Sequence, residues 1–136
     1  MATINVTPEE LDKSLTFFMR QHIGRANSMD RWTLVAKIFG EGAAYPFTDD
    51  NLYDRAIREA VSRLRMSGIF ICDMSDGSGR FLAADRAEYL AFRNSYVKPL
   101  ISRAEVIRAM DKFADEAWPN EAQPALFDMS ALRIME

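Results

Sequence analysis

Apolar residues recur at three- and four-residue steps in several separate stretches of the chain, the spacing that puts one face of a helix into a core. Thr7-Pro-Glu-Glu10 supplies a cap, a proline suited to the first helical turn and two acids for the positive end of the helix dipole. Leu11, Leu15, Phe18 and Met19 follow, then His22 and Ile23, so a first helix is expected over about 8–23, ending at Gly24. A second helix, capped by Ser28, carries Trp32, Val35, Ala36 and Phe39 up to Gly40. A third carries Leu52, Ala56, Ile57, Ala60, Val61 and Leu64, with Thr48, Asp49 or Asp50 as its cap. Ile69-Phe-Ile-Cys-Asp73 and Arg80-Phe-Leu-Ala83 then flank Met74-Ser-Asp-Gly-Ser-Gly79. Two glycines in that turn supply the positive φ of a tight β-hairpin. After it, Asp85-Arg-Ala-Glu88 starts a long apolar series running to Phe113, interrupted by Pro99, which predicts two helices or a kink near Lys98. Positions 90, 97, 100, 104 and 107 approach a seven-residue repeat. That repeat fits either the seam of a homodimer or a helix lying back on its own domain. The expected fold is mainly α with a small β-hairpin, in three parts: a domain over 1–84, a helical extension over 85–117 and a tail over 118–136.

The polar side of the third helix changes the picture from architecture to function. Asn51, Arg55, Arg58, Ser62 and Arg65 form one stripe of groups able to bond phosphate oxygens or the acceptor edge of guanine. Arg80 adds a cation on the return strand of the hairpin. The alternative is an ordinary solvated face in which Arg55 and Arg58 pair with Asp54, Asp50 or Glu59. The order of three helices and then a hairpin favours double-stranded DNA as the partner.

Residues 8–83 resemble a winged helix-turn-helix domain. From about 24 to 113 the chain is similar to small DNA-binding proteins encoded by bacteriophages and prophages, through Asp54-Arg-Ala-Ile-Arg-Glu-Ala60, Leu64-Arg-Met-Ser-Gly-Ile69 and the hairpin. The resemblance implies that Asn51, Arg55 and Arg58 face the major groove and Arg80 the adjacent backbone. It implies a role in replication or transcription control, with no reaction attached. One departure is the segment 43–50, longer than the three- to four-residue turn of the simplest helix-turn-helix. Four arginines neutralising about four phosphates would give a salt slope near −4.

Composition narrows the classes without naming one. At 136 residues, with 49% hydrophobic and 27% charged, the chain can build one core plus a tail. No apolar run approaches the roughly 20 residues of a membrane span. The start lacks a basic region followed by an apolar stretch, so a cytoplasmic protein is expected. The net charge of −3 divides unevenly. Residues 15–112 hold 15 Lys and Arg against 12 Asp and Glu, and the ends hold two against eight. The body is mildly basic and the acid lies in the tails, which permits nucleic-acid binding. The single cysteine, Cys72, sits in the first hairpin strand, where a small buried filler is expected. Lone His22 has no cysteine or carboxylate at ligand spacing, and Asp76-Gly-Ser-Gly79 lacks the lysine of a phosphate loop. No catalytic residue, metal or cofactor is expected, and the chain reads as a non-enzyme.

The tail carries a second signal. Gln123-Pro-Ala-Leu-Phe127 looks like the peptide with which bacterial polymerases dock on the sliding clamp: a glutamine, two variable positions, then Leu126 and Phe127. The two apolar side chains would fill a pocket while the Gln123 amide fixes register. An inhibitor or interaction module docking a host partner through this peptide is therefore the alternative to a DNA reader. Folding back of Leu126, Phe127, Met129, Leu132 and Ile134 onto the protein is the structural alternative. A peptide of residues 118–136 is expected to bind a bacterial sliding clamp in fluorescence anisotropy, and the Leu126→Ala/Phe127→Ala peptide to lose binding. Equal binding by both peptides removes the clamp reading.

Overall fold

A computed structural model describes residues 5–119; Gln123, Leu126 and Phe127 of the clamp-like peptide lie outside the described residues. The protein is mainly helical with one two-stranded antiparallel sheet. Its chain divides into two compact units, Met1–Phe92 and Arg93–Glu136.

In the first unit, helix α1 (Pro8–Met19) begins at a reciprocal cap: the Glu10 amide donates to Thr7 Oγ1 at 3.2 Å and the Thr7 amide to Glu10 Oε2 at 3.3 Å. It ends four residues before the expected position, because the Leu82 amide of the hairpin donates to the His22 carbonyl at 2.8 Å. Helix α2 (Arg31–Phe39) is capped by Asp30, which accepts from the Trp32 and Thr33 amides. Ser28, the expected cap, instead donates its hydroxyl to the Arg25 carbonyl, in a short 3-10 turn. Met29 is meanwhile held by the hairpin, so the helix cannot start earlier. Helix α3 (Leu52–Met66) is capped by Asn51 rather than by Thr48, Asp49 or Asp50. Of those three, Thr48 and Asp50 bond each other and Asp49 takes Arg31.

Leu11, Leu15 and Met19 of α1 meet Leu34 and Val35 of α2 and Ile57, Ala60, Val61 and Leu64 of α3 in one core, closed by Ile71. Strands β1 (Ile71–Asp73) and β2 (Arg80–Leu82) pair with Cys72 opposite Phe81, and those two form a second small core with Phe92. Cys72 is fully buried, as expected of an apolar filler, and burial pushes its thiol up to about 11.

The link between α1 and α2 is stitched along the outer side of β2. The Met29 amide donates to the Arg80 carbonyl at 2.7 Å, the Arg80 amide to the Met29 carbonyl at 2.9 Å, and the Gly24 amide to the Leu82 carbonyl at 2.8 Å. Gly79 makes this approach possible. Its φ is +104°, and a Cβ there would lie 2.0 Å from the Met29 carbonyl oxygen. Nothing in the apolar periodicity marks the 22–29 link as a strand partner.

Helix α4 (Arg86–Ala117) is continuous, although Pro99 predicts a break. Pro99 is exposed, so the Ser95 carbonyl left without a donor can bond water. The first two turns of α4, through Phe92, belong to the first unit rather than to an extension beginning at residue 85. In the second unit Val97 and Ala104 are buried, while Leu100, Ile107, Met110 and Phe113 are exposed, so the seven-residue repeat is only partly free. No helix among the described residues is long and apolar enough to cross a membrane.

Gly79→Ala is expected to destabilise the protein by about 2–4 kcal/mol in urea unfolding, since the new methyl meets backbone that cannot yield. Gly77→Ala, with positive φ but open space around it, should cost visibly less.

Candidate nucleic-acid interface

The structure divides the five residues of the expected stripe, four of them in α3 and one, Asn51, its cap. Asn51 is 5% exposed and faces inward. Its Oδ1 accepts from the Tyr53 and Asp54 amides at 2.9 and 3.0 Å, and its Nδ2 donates to the Ala43 and Pro46 carbonyls at 2.9 and 3.1 Å. All the bonds an asparagine amide can make are thereby used, so Asn51 is corrected from a groove-facing residue to a cap that ties the 43–46 segment to α3. Arg65 is half-buried: its Nε donates to the Ile71 carbonyl at 2.8 Å and its Nη2 to Asp73 at 3.2 Å, with the guanidinium 4.8 Å from the centre of the Phe92 ring. It fastens α3 to β1. Arg55 and Ser62 are exposed, and among the described residues the Arg55 side chain makes no hydrogen bond or ion pair.

Arg58 sits between these extremes. It keeps an exposed guanidinium, yet donates to Asp54 Oδ2 at 3.0 Å and to the Asp49 carbonyl at 2.7 Å. Asp54 is fully buried and is the hub of the local charge arrangement. Arg31, on the first turn of α2, grips it with two parallel bonds, Nε to Oδ1 at 2.9 Å and Nη2 to Oδ2 at 2.6 Å. Burial pushes the Asp54 carboxyl up, but the bonds and charge of Arg31, with Arg58 and Arg80, outweigh it and hold the group below its ordinary range. Arg31 was missed in the sequence because it precedes Asp54 by 23 positions and looks like an unremarked first-turn residue.

Arg80 departs most from expectation. Rather than reaching outward to a DNA backbone, it lies in a cleft of about 480 Å³ between α3 and the hairpin, lined also by Arg31, Asp49, Arg58, Asp73 and the turn residues. Desolvation lowers its pKa, against the pull of Asp54 and Asp73. Among the described residues Arg80 enters no ion pair, and its Nη1 is buried with no hydrogen-bond partner.

Beside the cleft lies a patch of aromatic rings. Trp32 and Phe47 are 5.3 Å apart, Phe47 and Tyr45 4.5 Å apart, and Arg31 stands 4.4 Å over Trp32. Tyr45 and Phe47 are both more than half exposed. Among the described residues no group of His, Cys, Asp and Glu is placed to hold a metal ion. His22, outside the helix, donates Nδ1–H to the Asn27 carbonyl at 2.8 Å, a link within its own loop. No known protein family, curated protein or solved structure matches the chain.

Asp54→Asn is expected to lower stability at pH 7 by about 2–4 kcal/mol, less than the loss of a wholly buried pair because both guanidiniums keep contact with water. The folded carboxyl titrates below its unfolded value, so its contribution is complete above about pH 4 and is lost as pH falls through the folded value. The gap between variant and wild type in urea unfolding should therefore hold at neutral pH and shrink in strong acid. A gap that is constant down to pH 2 contradicts the assignment.

Proposed function

We propose that this chain is a non-enzymatic protein that binds duplex DNA through a winged helix-turn-helix arrangement, of the kind bacteriophages and mobile elements use in replication or transcription control. The observation that carries the reading is the shared surface of α3 and the hairpin. Arg58 lines the same cleft as Ser75, Gly77 and Gly79 of the turn, with Arg55 and Ser62 exposed on the same helix. A helix with a cationic outward edge next to a narrow, polar hairpin can enter a major groove while the turn follows the neighbouring backbone. In this reading the contact set is Arg55, Arg58 and Ser62, smaller than the stripe read from the sequence, because Asn51 and Arg65 have structural work. Docking on a sliding clamp through Gln123, Leu126 and Phe127 would join such a DNA reader to the replication machinery.

With two exposed arginines on the helix rather than four contacts, log affinity should fall with log salt at a slope of about −2. Arg55 is the clean probe, its side chain being exposed and, among the described residues, in no ion pair. Arg55→Ala is expected to leave the thermal midpoint unchanged, weaken binding to mixed-sequence duplex and reduce the salt slope by about 0.9. Binding by Arg55→Ala equal to wild type at every salt concentration, or no duplex binding at low salt, sinks the proposal.

A further inference from the structure

Arg80 poses a problem that the fold by itself does not solve. A guanidinium drawn out of water needs acceptors, and leaving one without them costs more than the arginine gains by packing. Four arginines (Arg31, Arg58, Arg65 and Arg80) and three aspartates (Asp49, Asp54 and Asp73) meet around this cleft. Arg31 and Arg58 share Asp54, Arg31 also holds Asp49, and Arg65 holds Asp73. Every carboxylate is engaged by another cation, and the surplus positive charge is on Arg80, whose Nη1 is buried without an acceptor. The cleft in front of it has room for a small oxyanion.

We infer that the cleft between α3 and the hairpin is a phosphate-binding site in which Arg80 is the central donor and Arg58 stands at the rim. A phosphate in the cleft would meet the Arg80 guanidinium, which forms no ion pair among the described residues, and Arg58 lines the same space. Tetrahedral oxyanions suit guanidinium because two N–H groups meet two oxygens. Asp49 and Asp73 face the same cleft and set a limit on affinity, but their charges are met by Arg31 and Arg65. The ligand chemistry is that of a phosphate group, whether a diester in a nucleic-acid backbone or a free or terminal phosphate. The site does not depend on duplex recognition by α3: a chain that ignored duplex DNA would still hold phosphate here.

The test uses the full chain in chloride buffer. Inorganic phosphate is titrated while the Arg80 Nε–Hε signal is followed by NMR and the thermal midpoint by fluorescence, with wild type and Arg80→Gln in parallel. Wild type should show a saturable shift of the Arg80 signal and a saturable rise in midpoint. Arg80→Gln, which keeps a polar side chain of similar reach, should bind phosphate at least about tenfold more weakly. Because phosphate also stabilises proteins by exclusion from their surface, the linear part of the rise common to both proteins is subtracted. Dimethyl phosphate in a second titration separates the sources: a matching shift assigns the site to backbone diesters, and a response to inorganic phosphate alone assigns it to free or terminal phosphate. An Arg80 signal indifferent to both, or an equal saturable midpoint rise in Arg80→Gln, overturns the inference. Duplex binding that persists in Arg55→Ala leaves this result untouched, so the two readings fail separately.

Discussion

A single buried carboxylate organises the upper half of the first unit. Asp54 sits one turn into α3 with no exposure to water, a position that is tenable only because Arg31 of α2 and Arg58 of α3 converge on it. Through Arg31 the start of α2 is tied to the start of α3, and through Asp49 the loop joining them is drawn to the same guanidinium. Asn51 works beside it, capping α3 with one end of its amide and holding the loop carbonyls with the other. The long segment 43–50, a departure from a minimal helix-turn-helix, is therefore held in place by specific polar bonds, and the angle between the two helices with it. Charge that reads as an outward cationic stripe is largely spent on internal fixation.

The sequence carried the architecture well because helical periodicity and turn glycines act locally. Leu11, Leu15 and Met19 were legible as one face of α1, Ile57, Ala60, Val61 and Leu64 as one face of α3, and the positive φ of Gly77 and Gly79 as a hairpin turn. What failed were judgements that depend on contacts between distant positions. Ser28 reads as well as Asp30 for a cap until Met29 is known to pair with Arg80. Pro99 breaks a helix on average but not where the stranded carbonyl can be hydrated.

The candidate site follows the same division. The grouping of Arg55, Arg58, Ser62 and Arg65 on one side of α3 is a consequence of 3.6-residue geometry and could be read directly. Which of them remain exposed could not, because that depends on Asp73, Phe92 and the Ile71 carbonyl meeting Arg65 from the hairpin and from α4. The cleft around Arg80 had no local signature at all. A lone arginine in a three-residue strand looks like a surface cation, and the cleft it lines is completed by Arg31, Asp49 and Arg58 from distant parts of the chain.

The stitching of that link to β2 also bears on how the molecule behaves when crowded. A two-stranded hairpin on its own presents two rows of unmet backbone groups, each a template on which another chain can add a strand. Here the outer side of β2 is filled at both ends by the backbone of residues 22–29, and the Ile71 carbonyl of β1 is taken by Arg65. The hairpin can thus expose its polar turn without offering a long edge to a neighbouring copy, and strand-by-strand aggregation is opposed by backbone saturation rather than by net charge.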